Sequence, residues 1–294
     1  MITLYRPSGY DSPRASSFAG RSVDDKPLDV ENGSSFKEID TGRVFRYDKE
    51  NNLWIEQKST SGGAGATEPY IEETYDADGN LIGAKMYGYT KVRNDMYNGC
   101  ATLKTIEMPD GISYIGEYAF SDCESLALTS LPESLTRIGI NTFQNCESLA
   151  LTSLPDGVTR IGDYTFYCCT SLALTSLPAG VTSIGYRAFK NCTNLALTSL
   201  PAGVTSIGVE AFSGCTSLAL TSLPESLTSI DINTFQNCTS LTSIIFKCIP
   251  TTINSRAFSG CTNLTDIKVP WAEGAVSGAP WGATNATITY NYTE

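Results

Sequence analysis

The sequence predicts an α+β repeat solenoid, made of short strands and short helical turns, with a small β-rich module ahead of it. Three observations carry that prediction. Cys100, Cys123, Cys146, Cys169, Cys192, Cys215, Cys238 and Cys261 stand 23 residues apart. An aromatic residue precedes each by three positions: Tyr97, Phe120, Phe143, Phe166, Phe189, Phe212, Phe235 and Phe258. On the same beat run isoleucines from Ile115 to Ile253 and leucines from Leu103 to Leu264. A fixed period of this length means one unit stacked on itself. Because the periodic residues are apolar, they form a core and not a chemical site.

Along the chain, residues 1–58 form an N-terminal arm and a small β-meander that serves as an attachment module. The opening, RPSGYDSPRASSFAGRSVDDKPLD, is polar and rich in Pro, Ser and Gly, which predicts an extended or loosely ordered arm. Apolar and polar residues then alternate around two turn signals, placing Phe36 and Ile39, Val44 and Phe45, and Trp54 and Ile55 on three strands. So small a unit must trimerise, dock onto a partner or join a larger sheet. Residues 59–67, STSGGAGAT, read as a flexible linker. Residues 68–97 predict a hairpin turning at Asp78-Gly79-Asn80 and capping the solenoid. Asp76, Asp78 and Asn80 invite a calcium-loop reading, but Tyr87 stands where that loop needs a bidentate acid, so the turn reading is preferred.

The repeats occupy residues 98–270. Each is expected to hold an extended stretch ending in proline (Leu126 to Leu131, then Pro132), a second stretch (Leu135 to Ile138) and a helical turn around Phe and Cys. Gly116, Gly139, Gly162, Gly185 and Gly208 follow the isoleucines and suit a tight corner, where Asp231 and Asn254 stand in as residues tolerant of left-handed backbone. Residues 271–294 break the beat and form a C-terminal cap, with Trp271 and Trp281 as plugs and Ala286, Ile288, Tyr290 and Tyr292 alternating along a strand.

Composition excludes several function classes. A net charge of −11 opposes nucleic-acid binding. Basic residues thin out after residue 97, where 8 face 15 acidic ones. The absence of histidine removes Ser/His and Cys/His nucleophile activation and most catalytic zinc sites. No apolar run is long enough to span a bilayer, so no membrane insertion is expected. The start lacks a basic-then-apolar leader, which predicts synthesis in the cytoplasm without a signal peptide. The cysteine column reads as stacked buried thiols about 4.8 Å apart, not as disulfides or metal ligands. Cys168 and Cys248 lie off the beat and are expected to be the more exposed thiols. No catalytic residue, metal site or cofactor is assigned, and an enzyme is not expected.

The unit C-x-x-L-x-x-hhh-x-P-x-x-V/L-T-x-I-G-x-x-A/T-F-x-x-C resembles the BspA-type leucine-rich repeat over Tyr97 to about Pro270. That resemblance implies adhesion or recognition. The chain departs from the pattern in five middle repeats, which read L-A-L-T-S-L-P and not L-x-x-I-x-I-P, a change that would flip local side-chain direction or add a bulge. Residues 31–56 resemble a short module near the N-terminus of phage structural and tail-associated proteins, and PWAEGAVSGAPWGATNATITYNY, residues 270–292, resembles the C-terminal end of phage-encoded repeat proteins. These resemblances imply a virion appendage, extracellular after lysis. It would attach to other virion proteins and oligomerise through Phe36, Ile39, Val44, Phe45, Trp54 and Ile55, and bind a host cell-surface protein or polysaccharide through the repeats. The alternative is a bacterial cell-surface adhesin of the same repeat class.

Binding residues are sought where the repeats differ. Tyr118, Asn141, Tyr164, Tyr186, Arg187 and Glu210 follow the Ile-Gly corner, and Tyr167 and Lys190 flank the phenylalanine. These varied positions are expected to face solvent, where tyrosines can stack on sugars or pack on protein. The Thr/Ser pairs from Thr129/Ser130 to Thr221/Ser222 are expected to hydrogen-bond between turns.

Overall fold

The computed structural model describes residues 69–293 and the backbone of five strands before them. Two compact units result, one of Met1–Tyr89 with Leu103–Pro109 and one of Thr90–Thr102 with Asp110–Glu294. The first unit contains strands β1 (Thr3–Tyr5), β2 (Ser17–Gly20), β3 (Ser35–Glu38), β4 (Val44–Asp48), β5 (Leu53–Glu56), β6 (Tyr70–Tyr75) and β7 (Leu81–Tyr87). After β8 (Lys91–Val92) of the second unit, β9 (Thr105–Glu107) returns to the first, whose strands form one sheet in the order β5-β4-β3-β2-β1-β6-β7-β9. The meander β3-β4-β5 is antiparallel throughout, and it joins a larger sheet. The segment expected as an arm contributes β1 and β2 to that sheet. Ile39 and the linker lie outside the described residues.

The β6–β7 hairpin turns because Asp76 folds the chain back on itself. Its carboxylate accepts the Asp78 and Asn80 backbone N–H groups at 3.0 and 2.8 Å and the Asn80 side-chain amide at 3.0 Å. Gly79 takes the positive φ of +84° that the turn requires.

In the second unit, β10 (Tyr114–Ile115), β11 (Arg137–Ile138), β12 (Arg160–Ile161), β13 (Ser183–Ile184), β14 (Ser206–Ile207), β16 (Ser229–Ile230) and β18 (Thr252–Ile253) are the same two residues of successive repeats. Each recorded pairing among them, and that of β8 with β10, is parallel and in register. A second row holds β15 (Ser222–Leu223), β17 (Ser243–Phe246), β19 (Asp266–Lys268) and β20 (Thr287–Thr289).

Among the described residues there is no helix, so the structure is a β-solenoid and not the α+β arrangement expected. The reason lies in the turn around each phenylalanine. Asn141 and Asn145 both adopt left-handed φ values, 55° and 56°, and a left-handed residue at each end prevents an α-helix from forming between them. Alternate N–H groups then leave the repeat altogether. Those of Asn141, Phe143 and Asn145 donate to the carbonyls of Asp163, Thr165 and Tyr167 in the next repeat, at 2.8–3.0 Å. The N–H groups between them close locally, as Gln144 does on Asn141 and Cys146 on Phe143. A helix would have used all of them internally.

The periodic residues form the core as expected. From Tyr97 to Phe258 the rings stack at 5.3–5.7 Å between centres and within 9° of parallel. Each buried phenylalanine contributes roughly 1.5–3 kcal/mol by burial, and each stacked pair about 0.5–1.5 kcal/mol more. The cysteines are more than apolar filler. The thiol of Cys146 donates to the Phe120 carbonyl at 3.0 Å, and the same bond recurs from Cys123 to Cys261 at 2.9–3.1 Å.

The corner glycines serve a different purpose from the one expected. Gly139 and Gly208 have no positive φ, but a Cβ on either would lie 2.6 or 2.7 Å from backbone of the preceding repeat. Asp231 and Asn254 likewise keep ordinary φ values. The L-A-L-T-S-L-P segments also differ from expectation, since among them only Ser222–Leu223 is strand. In Leu149 to Leu154, positions 149, 151 and 154 point inward while Thr152 and Ser153 are both exposed. Two exposed residues in succession break the period-2 alternation that a strand needs. Where the segment reads Leu241, Ile244, Phe246, alternation resumes and β17 forms.

The hydroxyl ladders fall mainly on other columns. Thr136, Thr182, Thr205, Thr228 and Thr251 donate to a carbonyl one repeat earlier at 3.0–3.4 Å. Of the pairs expected to do this, Thr221 bonds the Thr198 carbonyl at 3.5 Å. Trp271 and Trp281 are buried as the expected plugs, and β20 pairs with β19. Cys248 is buried, not exposed, because it packs at the end of β17, and its thiol is pushed up to about 11 by burial.

Replacing Cys192 with Ala is expected to lower unfolding stability by about 1–2 kcal/mol, through a lost buried hydrogen bond and a small void. Denaturant titration of the variant measures this. In the native protein only Cys100 and Cys168 are even half-exposed, so a thiol reagent is expected to label these two rapidly and the other eight only after unfolding.

Candidate functional site

The residue two positions after the corner isoleucine's glycine is left-handed in repeat after repeat. Asp95, Tyr118, Asn141, Tyr164, Arg187, Glu210 and Asn233 share it, with φ between 52° and 57°. Asn and Asp accept this conformation readily; a Tyr, Arg or Glu held there stores strain of order 1–2 kcal/mol. Five of the eight binding residues expected from repeat variation occupy this one position. The recurrence of Asp95, Asn141 and Asn233 at 23-residue multiples was the available signal for it.

The structure gathers six of the eight into one cluster. Backbone rungs set the spacing, with the Tyr164 N–H on the Tyr186 carbonyl at 2.9 Å and the Arg187 N–H on the Val209 carbonyl at 3.0 Å. Arg187 Nε donates to Glu210 Oε2 at 2.6 Å, and Lys190 Nζ reaches the same oxygen at 2.7 Å. Arg187 Nη1 donates to the Tyr164 hydroxyl at 3.2 Å. Its guanidinium also lies 4.7 Å from the centre of the Tyr186 ring, within cation–π range. Tyr164 meets Tyr186 edge-on at 5.1 Å and Tyr167 tilted at 5.6 Å. The Glu210 side chain is 15% exposed, against 30% for Arg187 and 22% for Lys190.

Glu210 is therefore a clamp and not a free surface acid. Hydrogen bonds from Lys190 and then Arg187 hold its carboxyl below the usual range and outweigh the opposing effect of burial. Burial, followed by the neighbouring Cys168, pushes the Tyr167 hydroxyl up. The arrangement offers three aromatic surfaces and two cations against one carboxylate. It suits recognition of a polar partner.

The remaining two residues stand apart. Tyr118 is 38% exposed. Asn141, expected to face solvent, is only 8% exposed because its side-chain amide turns back to Gln144 Oε1 within the turn. Phe36, Val44, Phe45, Trp54 and Ile55 fall on β3, β4 and β5.

Two outcomes follow from this geometry. Tyr118→Asn relieves a left-handed tyrosine and is expected to raise Tm by about 2–4 °C in calorimetry. Because the folded carboxyl of Glu210 titrates lower than the unfolded one, its stabilisation is complete above the ordinary glutamate range. It is lost as pH falls through the folded value. Melting curves taken between roughly pH 5 and pH 3 are therefore expected to fall more steeply for the parent than for Glu210→Gln.

Comparison with known proteins follows the same line. The family model for the BspA type leucine-rich repeat region matches in six copies over residues 90–219 and 182–273. A leucine-rich repeat protein from Bacteroides ovatus is similar in fold, with a TM-score of 0.51 at 22% identity. That match covers 71% of this chain and 61% of the other, so the chain spans less than two thirds of that protein. A leucine-rich cell surface protein from Faecalibacterium prausnitzii aligns at 21% identity over 92% of this chain and 96% of its own, with a TM-score of 0.43. The T. pallidum leucine-rich repeat protein aligns at 24% identity over 66% and 87%, with a TM-score of 0.41. No curated protein matches the chain. With the family pattern spanning most of its length and the solenoid bearing it out, this chain belongs to the BspA type leucine-rich repeat family.

Proposed function

We propose that this chain is a bacterial cell-surface adhesin whose solenoid binds a host protein or glycan through the cluster of Tyr164, Tyr167, Tyr186, Arg187 and Lys190. The observation that carries this reading is the convergence itself. Residues that vary between repeats come from two consecutive units and meet as aromatic faces around one guanidinium, which Glu210 of the third holds in place. Strained left-handed backbone at Tyr164 and Arg187 supports it, because strain of this kind persists where the side chain is needed. Aromatic and arginine side chains are also the residues that dominate binding energy at interfaces. The virion-appendage expectation rests on sequence resemblance in the terminal segments, and no comparison speaks for it.

The purified full-length chain is expected to bind cultured host epithelial cells in flow cytometry. Tyr186→Ala together with Arg187→Ala should weaken that binding by about tenfold or more. Periodate treatment of the cells abolishes it if the receptor is a glycan, and trypsin treatment if it is a protein. Unchanged binding by the double variant overturns the site. Recovery of the chain in phage particles, and not in the bacterial envelope, overturns the adhesin reading.

A further inference from the structure

A second set of residues lies on the strand face and shares none with the cluster just described. The first residue of the parallel two-residue strands is Lys91 in β8, Tyr114 in β10, Arg137 in β11 and Arg160 in β12. From Ser183 onward the same position is Ser or Thr. Only 8 basic residues follow residue 97, and two of them are the neighbours Arg137 and Arg160. Parallel pairing holds Tyr114 in register with Lys91 on one side and Arg137 on the other. The Arg137 guanidinium lies 5.1 Å from the centre of the Tyr114 ring.

Both arginines line one open recess of about 630 Å³, together with Thr136, Thr159, the exposed Ile140 and one acid, Glu117. Among the described residues neither arginine forms an ion pair, in contrast to Arg187. In a chain of net charge −11, two adjacent unpaired guanidinium groups are a local reversal of sign. Arginine is also the side chain whose planar fork matches a carboxylate by two parallel hydrogen bonds.

We propose that this row is a binding site for a linear acidic polysaccharide, with Arg137 and Arg160 each taking a carboxylate and Tyr114 stacking on a sugar face. The repeat spacing favours a glycan over an acidic peptide. Adjacent parallel strands lie about 4.8 Å apart, close to the length of one sugar residue in an extended chain. Lys91, Tyr114 and Arg137, on paired strands, therefore stand at the pace of the sugars, and Arg160 follows across the recess, where β11 and β12 belong to different sheets. The aromatic at Tyr114 adds the flat apolar contact that a pyranose face uses. The site shares no residue with the Tyr164 cluster, so each can fail without the other.

Calorimetric titration of the full chain with polygalacturonate, neutral dextran and polyglutamate tests the proposal. Polygalacturonate is expected to bind, to weaken as salt rises, and to bind at least about tenfold more weakly to the variant carrying both Arg137→Ser and Arg160→Ser. Serine is native at this position in Ser183, Ser206 and Ser229, so the variant keeps a residue that the fold already uses. Two gain-of-function variants extend the test: Glu117→Gln removes the acid and Ser183→Arg lengthens the row, and both should tighten binding. Absence of binding by the parent, or unchanged affinity in the double variant, overturns the site. Equal affinity for polyglutamate overturns the glycan in favour of an acidic peptide.

Discussion

Every second backbone N–H in the turn around each buried phenylalanine points out of its own repeat and into the next. These rungs recur from Asp95 to Phe258, and much else follows from them. They require left-handed residues at both ends of the turn, which rules out the helix that sequence periodicity suggested. They hold successive phenylalanines at the stacking distance of about 5.5 Å observed between Phe120 and Phe143. They also leave the phenylalanine carbonyl facing forward, where the next cysteine can reach it. One backbone arrangement thus explains three side-chain columns.

This division of labour frees the surface. Stacking, thiol bonds and threonine ladders are satisfied by the repeated positions, so the positions between them carry little structural duty. Tyr164, Arg187 and Glu210 keep a backbone that asparagine would hold at lower strain. On the strand face, Arg137 and Arg160 stand where later repeats use serine. Both exceptions fall on surfaces whose spacing the core dictates. A solenoid of this kind sets out side chains at a regular pitch and lets their chemistry vary.

The middle repeats show how one shifted leucine alters the backbone. Moving the apolar residue from the fourth to the third position of the segment, as in Leu149-Ala150-Leu151, puts Thr152 and Ser153 side by side at the surface. The alternation fails and the strand is lost, yet Ala150 and Ala173 still donate one N–H each to the preceding repeat. The core survives because burial depends on which residues point inward, and inter-repeat bonding survives at the alanine rung.

The period, the stacked Phe, Ile, Leu and Cys columns, the hairpin at Asp76 and the tryptophan plugs were all legible in the linear chain. Each rests on local chemistry or on strict repetition, which a sequence displays directly. The varied positions after the corner were legible as a set, but not that Tyr164, Tyr186 and Arg187 would meet while Asn141 turned inward. The absence of helix among the described residues, the thiol-to-carbonyl bonds, the close approach at Gly139 and the row from Lys91 to Arg160 emerged only in three dimensions. All of these depend on contacts between residues 22 to 26 apart, whose register is set by how one repeat lies on the next.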